Sequence, residues 1–172
     1  RHLGPMSRIL SVLPVLLLLV GCLASKGGKS LPSVVPVPDS FDNPTEILDA
    51  ADRYYGGAKG SLTNPLAAMK LYREACEAEE DVACMALASL SFMRADTGPK
   101  RTAARAWVTP EVIQEVESRC ENDDERACLY RGLAQLMGIG GPQDVKEAVE
   151  KLEKACELGS GLACSELGSI AM

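Results

Sequence analysis

The sequence predicts an all-α fold, an α/α solenoid of antiparallel helix hairpins, on three observations. A pair of cysteines eight residues apart occurs three times, as Cys76 with Cys84, Cys120 with Cys128 and Cys156 with Cys164. The first cysteines of successive pairs lie 44 and then 36 residues apart, which is a repeat of about 36 residues with about eight inserted in the first connection. Each pair is flanked on both sides by apolar residues at helical spacing. Between the cysteines sit turn and capping residues: Glu79, Glu80 and Asp81, then Asn122, Asp123 and Asp124, then Gly159, Ser160 and Gly161.

In chain order, a first helix begins at Pro44, where proline suits the opening turn, and Ile47, Leu48, Ala51, Tyr54 and Tyr55 give it one apolar face. It has no partner ahead of it and reads as the second helix of a degenerate, cysteine-free leading unit over 44–57. Its exit, Tyr55-Gly56-Gly57-Ala58-Lys59-Gly60, resembles the later exit Met137-Gly138-Ile139-Gly140-Gly141. Three units follow, at about 64–98, 109–141 and 143–172. The first pairs a helix over about 65–78, with Ala68, Met69, Tyr72 and Ala75 on its apolar face, with one from Val82 to about Arg94 carrying Leu87, Leu90 and Phe92. The second pairs Pro110 to Glu121, carrying Val112, Ile113 and Val116, with Asp124 to Met137, carrying Leu133 and Leu136. The third pairs Asp144 to Leu158, carrying Ala148, Val149, Leu152 and Ala155, with a helix from near Ser160 that carries Leu167, Ile170 and Met172. Ala95 to Thr109 is read as an inserted connection. No polar cap follows Met172, so a longer parent protein or a truncated gene is expected.

In an antiparallel hairpin, residues three or four positions either side of the turn face each other. The eight-residue spacing therefore sets both thiols of a pair across the seam, placed for a disulfide. The expected connectivity is Cys76 to Cys84, Cys120 to Cys128 and Cys156 to Cys164. Each bond closes a loop of about nine residues and contributes roughly 2.5 kcal/mol on the chain-entropy account. A zinc site would want close cysteine pairs, often with histidine, and the one histidine is His2. Six reduced cysteines packed as small hydrophobes are a third reading, and that one requires a reducing compartment.

The N-terminus bears on the compartment. Residues 1–5 precede the first methionine, Met6, and are set apart from the fold. Residues 6–21 read as a secretory signal: Arg8 supplies positive charge, and Ile9 to Val20 is an apolar run broken by Ser11 and Pro14. The run is too short to span a membrane as a helix. It ends in Leu19-Val20-Gly21-Cys22, which resembles the lipobox of bacterial lipoproteins and implies cleavage before Cys22 with acylation of that residue. Cys22 is also the seventh cysteine, left over after three pairs. Residues 22–43, rich in Ser, Gly, Lys and Pro, read as a flexible tether. Leu23, rather than Asp, after the lipid-bearing cysteine implies an outer-membrane location facing the periplasm or the cell surface. Such an oxidising setting argues against reduced thiols.

The pattern Ala68-Met69-x-Leu71-Tyr72-x-x-Ala75-Cys76, an acidic or glycine turn, Ala83-Cys84-x-x-Leu87 and a glycine-rich exit resembles the Sel-one-like repeat, a relative of the tetratricopeptide repeat. With a cysteine pair in each unit, the chain is similar over about 44–172 to the cysteine-rich, Hcp-type secreted members, whose repeats each carry one disulfide. The resemblance implies a TPR-like superhelix that serves as a scaffold for protein complexes. It also carries a β-lactamase or penicillin-binding attribution, which would pass to this chain by resemblance alone. Arg119 stands where alanine is usual and Arg131 where leucine is usual, and with the Ala95 to Thr109 insertion these departures bear on local curvature.

The residues themselves limit the chemistry. A net charge of −6 and a pI near 4.9 disfavour nucleic acid as a partner. His2 lies ahead of the signal, so the mature domain has no Ser-His-Asp set. No serine is followed three residues on by lysine, as the β-lactamase signature requires. Gly138 to Gly141 lacks the phosphate-binding pattern. The acidic runs at Glu77 to Asp81 and Asp123 to Glu125 read as caps and favourable charge at helix starts rather than as a calcium site. No metal or cofactor is expected.

One surface stands out. Lys100, Arg101 and Arg105 beside Trp107 are candidates for contact with a peptide or an anionic wall polymer; the plainer reading is that Trp107 fills the gap where the repeat spacing breaks. The functional expectation is an envelope-anchored module that binds a protein or peptide on a concave face lined by the first helix of each repeat. A hydrolase is the alternative.

Overall fold

A computed structural model describes residues 40–56 and 63–171. His2, the signal, Cys22, most of the tether, the exit at 57–60 and Met172 lie outside the described residues. Within them are eight α-helices and no strand: α1 (Pro44–Gly56), α2 (Pro65–Glu77), α3 (Asp81–Met93), α4 (Gly98–Arg105), α5 (Pro110–Glu121), α6 (Glu125–Leu136), α7 (Val145–Glu157) and α8 (Gly161–Ile170). None of the described helices is long and apolar enough to cross a membrane.

Local chemistry sets the helix ends. Proline occupies the first turn of α2 and α5, and Asn64 and Thr109 ahead of them cap the free N–H groups of Ala67 and Val112. Asp144 caps α7 through the Glu147 N–H. The expected helices all form, with ends shifted by a residue or two. The exception is the stretch from Ala95 to Thr109, read as a connection, which contains α4. Pro99 at the start of that helix, followed by Lys100, Arg101 and two alanines, is a workable helix sequence without an apolar stripe.

The three hairpin turns share one backbone device. Glu79, Asp123 and Gly159, each three residues after the first cysteine of its pair, adopt left-handed φ values of 64°, 65° and 108°. The next residue then folds back, so the N–H groups of Glu80, Asp124 and Ser160 donate to the carbonyls of Ala75, Arg119 and Ala155 at 3.0, 3.0 and 2.9 Å. This is the Schellman closure that satisfies the last carbonyls of a helix. It brings the paired cysteines to Cα separations of 4.6, 4.6 and 4.9 Å, and disulfides join Cys76 to Cys84, Cys120 to Cys128 and Cys156 to Cys164.

Burial differs sharply between the helices. All nine residues from Val82 to Leu90 on α3 are buried, and α6 buries Ala127 to Tyr130 and Gly132 to Gln135. Helices α2, α5 and α7 bury one face each. Helices α3 and α6 are thus the most deeply buried, whereas α8 buries only Ala163. Contacts between units involve first and second helices alike: α3 packs on both α5 and α6, and Lys151 of α7 reaches Glu117 of α5. Asp49 of α1 meets Arg126 of α6, and Gly56 of α1 approaches Leu162 of α8. Helix α1 packs along α2 as α6 packs along α7. The α6–α7 step is close because Gly132 has no side chain, and a Cβ there would lie 2.9 Å from Leu152 Cγ and 3.1 Å from the Ala148 carbonyl oxygen.

Candidate binding site

The basic insertion is fastened to the two units it separates. Arg101 and Arg105 lie over the ring of Phe92, at the end of α3, with guanidinium carbons 5.3 and 4.8 Å from its centroid. Arg105 also reaches the second unit's exit loop, donating to the Gly138 and Met137 carbonyls at 3.3 and 3.5 Å. Lys100 pairs with Asp96 at 2.7 Å, where both side chains are largely exposed and the pair adds little. Trp107 is half-buried against the core, and Arg73 of α2, not an insertion residue, lies over it at 5.6 Å. The structure therefore gathers Lys100, Arg101 and Arg105 on one short helix and places Trp107 past its end.

None of Arg73, Arg94, Arg101 and Arg105 forms an ion pair among the described residues, whereas the cations between hairpins do. Arg119 donates to Glu80 of the preceding hairpin at 2.5 Å and to Asp124 of its own turn at 2.6 and 2.8 Å. Burial works to raise the Asp124 pKa, but the Ala127 N–H and Arg119 outweigh it and hold the carboxyl below its ordinary range. Glu117 of α5 accepts from Arg131 of α6 at 2.9 Å and from Lys151 of α7. Of the two departures from the repeat pattern, Arg119 ties its hairpin to the preceding one, while Arg131 braces its own hairpin through Glu117, which Lys151 links to the next.

A third polar seam lies deeper. The hydroxyls of Tyr72 and Tyr130, both fully buried, meet at 2.6 Å, and each donates to Asp52 Oδ1, at 2.7 and 2.8 Å. With Asp52 ionised, two protons serve three short contacts; with Asp52 protonated, a closed ring of three hydrogen bonds forms. Burial raises the Asp52 pKa, although both phenols and Arg126 act to lower it, and burial also pushes both tyrosines above their ordinary value. Such phenols hold their protons and join helices α1, α2 and α6. Neither Asp52 nor Tyr130 stood out in the sequence. The available signal was that a buried tyrosine hydroxyl needs a partner.

The disulfides differ in exposure. Cys120 and Cys128 are 3% and 0% exposed, Cys84 is 6% exposed, and Cys164 is exposed. Among the described residues no cluster of His, Cys, Asp and Glu could hold a metal ion. The Ser160 and Ser169 hydroxyls bond backbone groups. A cavity of about 190 Å³ is lined by Tyr55, Pro65, Met69, Leu90, Met93 and Arg94.

The chain is similar to solved Sel1-repeat structures. One is a protective antigen of uropathogenic Escherichia coli strains displaying an SLR fold, 24% identical, with a TM-score of 0.42 over 74% of this chain and 25% of that one. Another is a Sel1 repeat protein from Oxalobacter formigenes, 22% identical, with a TM-score of 0.37 over 77% of this chain and 65% of that one. The chain thus spans about a quarter of the first structure's length and just under two thirds of the second's. No protein-family model and no curated protein matches the chain.

Proposed function

We propose that the protein is an interaction scaffold of the bacterial envelope, a rigid stack of Sel-one-like hairpins tethered by a lipid on Cys22, that binds a protein or peptide. The observation that carries this is where the buried polar chemistry goes. Asp52 with its two tyrosines, Glu117 with its two cations and Arg119 with its two carboxylates all join one helix to another. Disulfides staple each hairpin in turn. Groups used this way fix a surface in place, and nothing among the described residues favours the hydrolase reading.

Photo-crosslinking of the full chain in its host's envelope tests this, with a benzophenone side chain in place of the exposed Leu66 or Lys100. Discrete protein adducts in the detergent-extracted membrane fraction are expected. The Cys22→Ser variant is expected to leave that fraction. Absence of protein adducts at both positions contradicts the scaffold, and unchanged membrane retention of Cys22→Ser contradicts the anchor.

A further inference from the structure

The segment 94–107 carries Arg94, Lys100, Arg101 and Arg105 against the single carboxylate of Asp96, in a chain whose net charge is −6. Arg119, Arg126, Arg131, Lys151 and Lys154 are paired with carboxylates on neighbouring elements; here three of the four cations have no carboxylate partner among the described residues, and Arg73 joins them from α2. Stacking on Phe92 and Trp107 holds three guanidinium groups without discharging them. The Arg101 guanidinium makes no hydrogen bond or ion pair among the described residues, and Arg105, whose Nε and Nη2 donate to the loop, keeps Nη1 for an acceptor. The support is stiff as well, because the Arg105 bonds to the Met137 and Gly138 carbonyls tie α4 to the following unit. Little ordering therefore remains to be done on binding.

We propose that this insertion is a docking surface for an acidic peptide segment of a partner protein, its carboxylates received by Arg101, Arg105 and Arg94 and its apolar side chains by Phe92, Trp107 and Met93. The inference rests on the scaffold reading and gives it a site and a partner chemistry. Charge complementarity sets the sign of the partner. The apolar component selects a peptide over a phosphate polymer: Met93 is 46% exposed, and both aromatic rings are only half-buried between the cations. A sugar-phosphate chain would use the charges and leave this apolar surface wet.

Fluorescence anisotropy with the purified, oxidised full chain tests the proposal. The probe is a labelled peptide of alternating Glu and Leu, compared with its Gln-for-Glu counterpart and with poly(glycerol phosphate). The acidic peptide is expected to bind, the Gln peptide to bind at least about tenfold more weakly, and the affinity to fall about tenfold in Arg101→Glu. That single substitution leaves the Arg105 bonds to the loop in place, and an unchanged thermal melt shows that the variant is folded. Arg53→Glu, an exposed charge reversal on α1, is expected to have no effect. Tighter binding of the phosphate polymer, equal losses in Arg53→Glu and Arg101→Glu, or no binding of the acidic peptide overturns the proposal. The scaffold reading fails separately, by absence of envelope crosslinks: adducts that persist in Arg101→Glu place the partner elsewhere on the same scaffold.

Discussion

Glu79 and Asp123 hold the left-handed φ that Gly159 holds in the third turn, at 64° and 65° against 108°. A residue with a Cβ is strained in that region, while glycine is not. Glu79→Gly is therefore expected to stabilise the first hairpin by about 0.5–1 kcal/mol, part of the relief being offset by the greater freedom of glycine in the unfolded chain. Urea unfolding of wild type and variant, compared at constant m, checks this. Glu117 carries a pH signature. Burial alone would raise its pKa, but the hydrogen bonds and charges of Lys151 and Arg131 more than reverse this and hold it below the usual 4.5. A carboxylate whose pKa is depressed by folding contributes stability that is complete above its unfolded pKa and is lost as pH falls through the folded value. Wild type is expected to weaken as pH drops below 4.5. Glu117→Gln is expected to be less stable at neutral pH by about 1–3 kcal/mol, with a shallower decline over the acid window, read from denaturant midpoints at stepped pH.

At the scale of the element, the hairpin is the unit, and its staple should respond to where its sulfurs sit. Cys120 and Cys128 are buried between α5, α6 and their neighbours, while Cys164 of α8 is exposed. A thiolate must reach a sulfur in order to exchange with it. Under graded reductant at native conditions, the Cys156 to Cys164 bond is expected to open first and the Cys120 to Cys128 bond last, followed by timed alkylation and mass spectrometry. Reduction of the buried bond ahead of the exposed one contradicts the packing described here. Seven of the eight helices were legible because apolar residues at helical spacing were bounded by turn, capping or proline residues. Helix α4 was not, since its sequence has a proline start and no stripe, and its place is fixed by Arg105 reaching a loop 32 and 33 residues away in sequence.

For the molecule as a whole, the hairpin register and the cysteine pairs followed from spacing, while the way the hairpins meet did not. Tyr72 and Tyr130 are 58 residues apart and share a carboxylate 20 and 78 residues away. Such a convergence exists only once the stack has formed. The same holds for Arg119, which in sequence is a departure from a pattern and in the fold is a tie to the preceding unit. The candidate surface was half visible: Lys100, Arg101, Arg105 and Trp107 were identifiable by composition, but Phe92 and Arg73, which hold those groups or their ring in place, belong to helices read as apolar faces. The central claim is a stack of hairpins each closed by its own disulfide, and non-reducing peptide mapping by mass spectrometry on protein from the host's envelope tests it most directly. Linked peptides are expected for Cys76 with Cys84, Cys120 with Cys128 and Cys156 with Cys164, with Cys22 outside the pairing; free thiols at these positions, or links between different pairs, would contradict it.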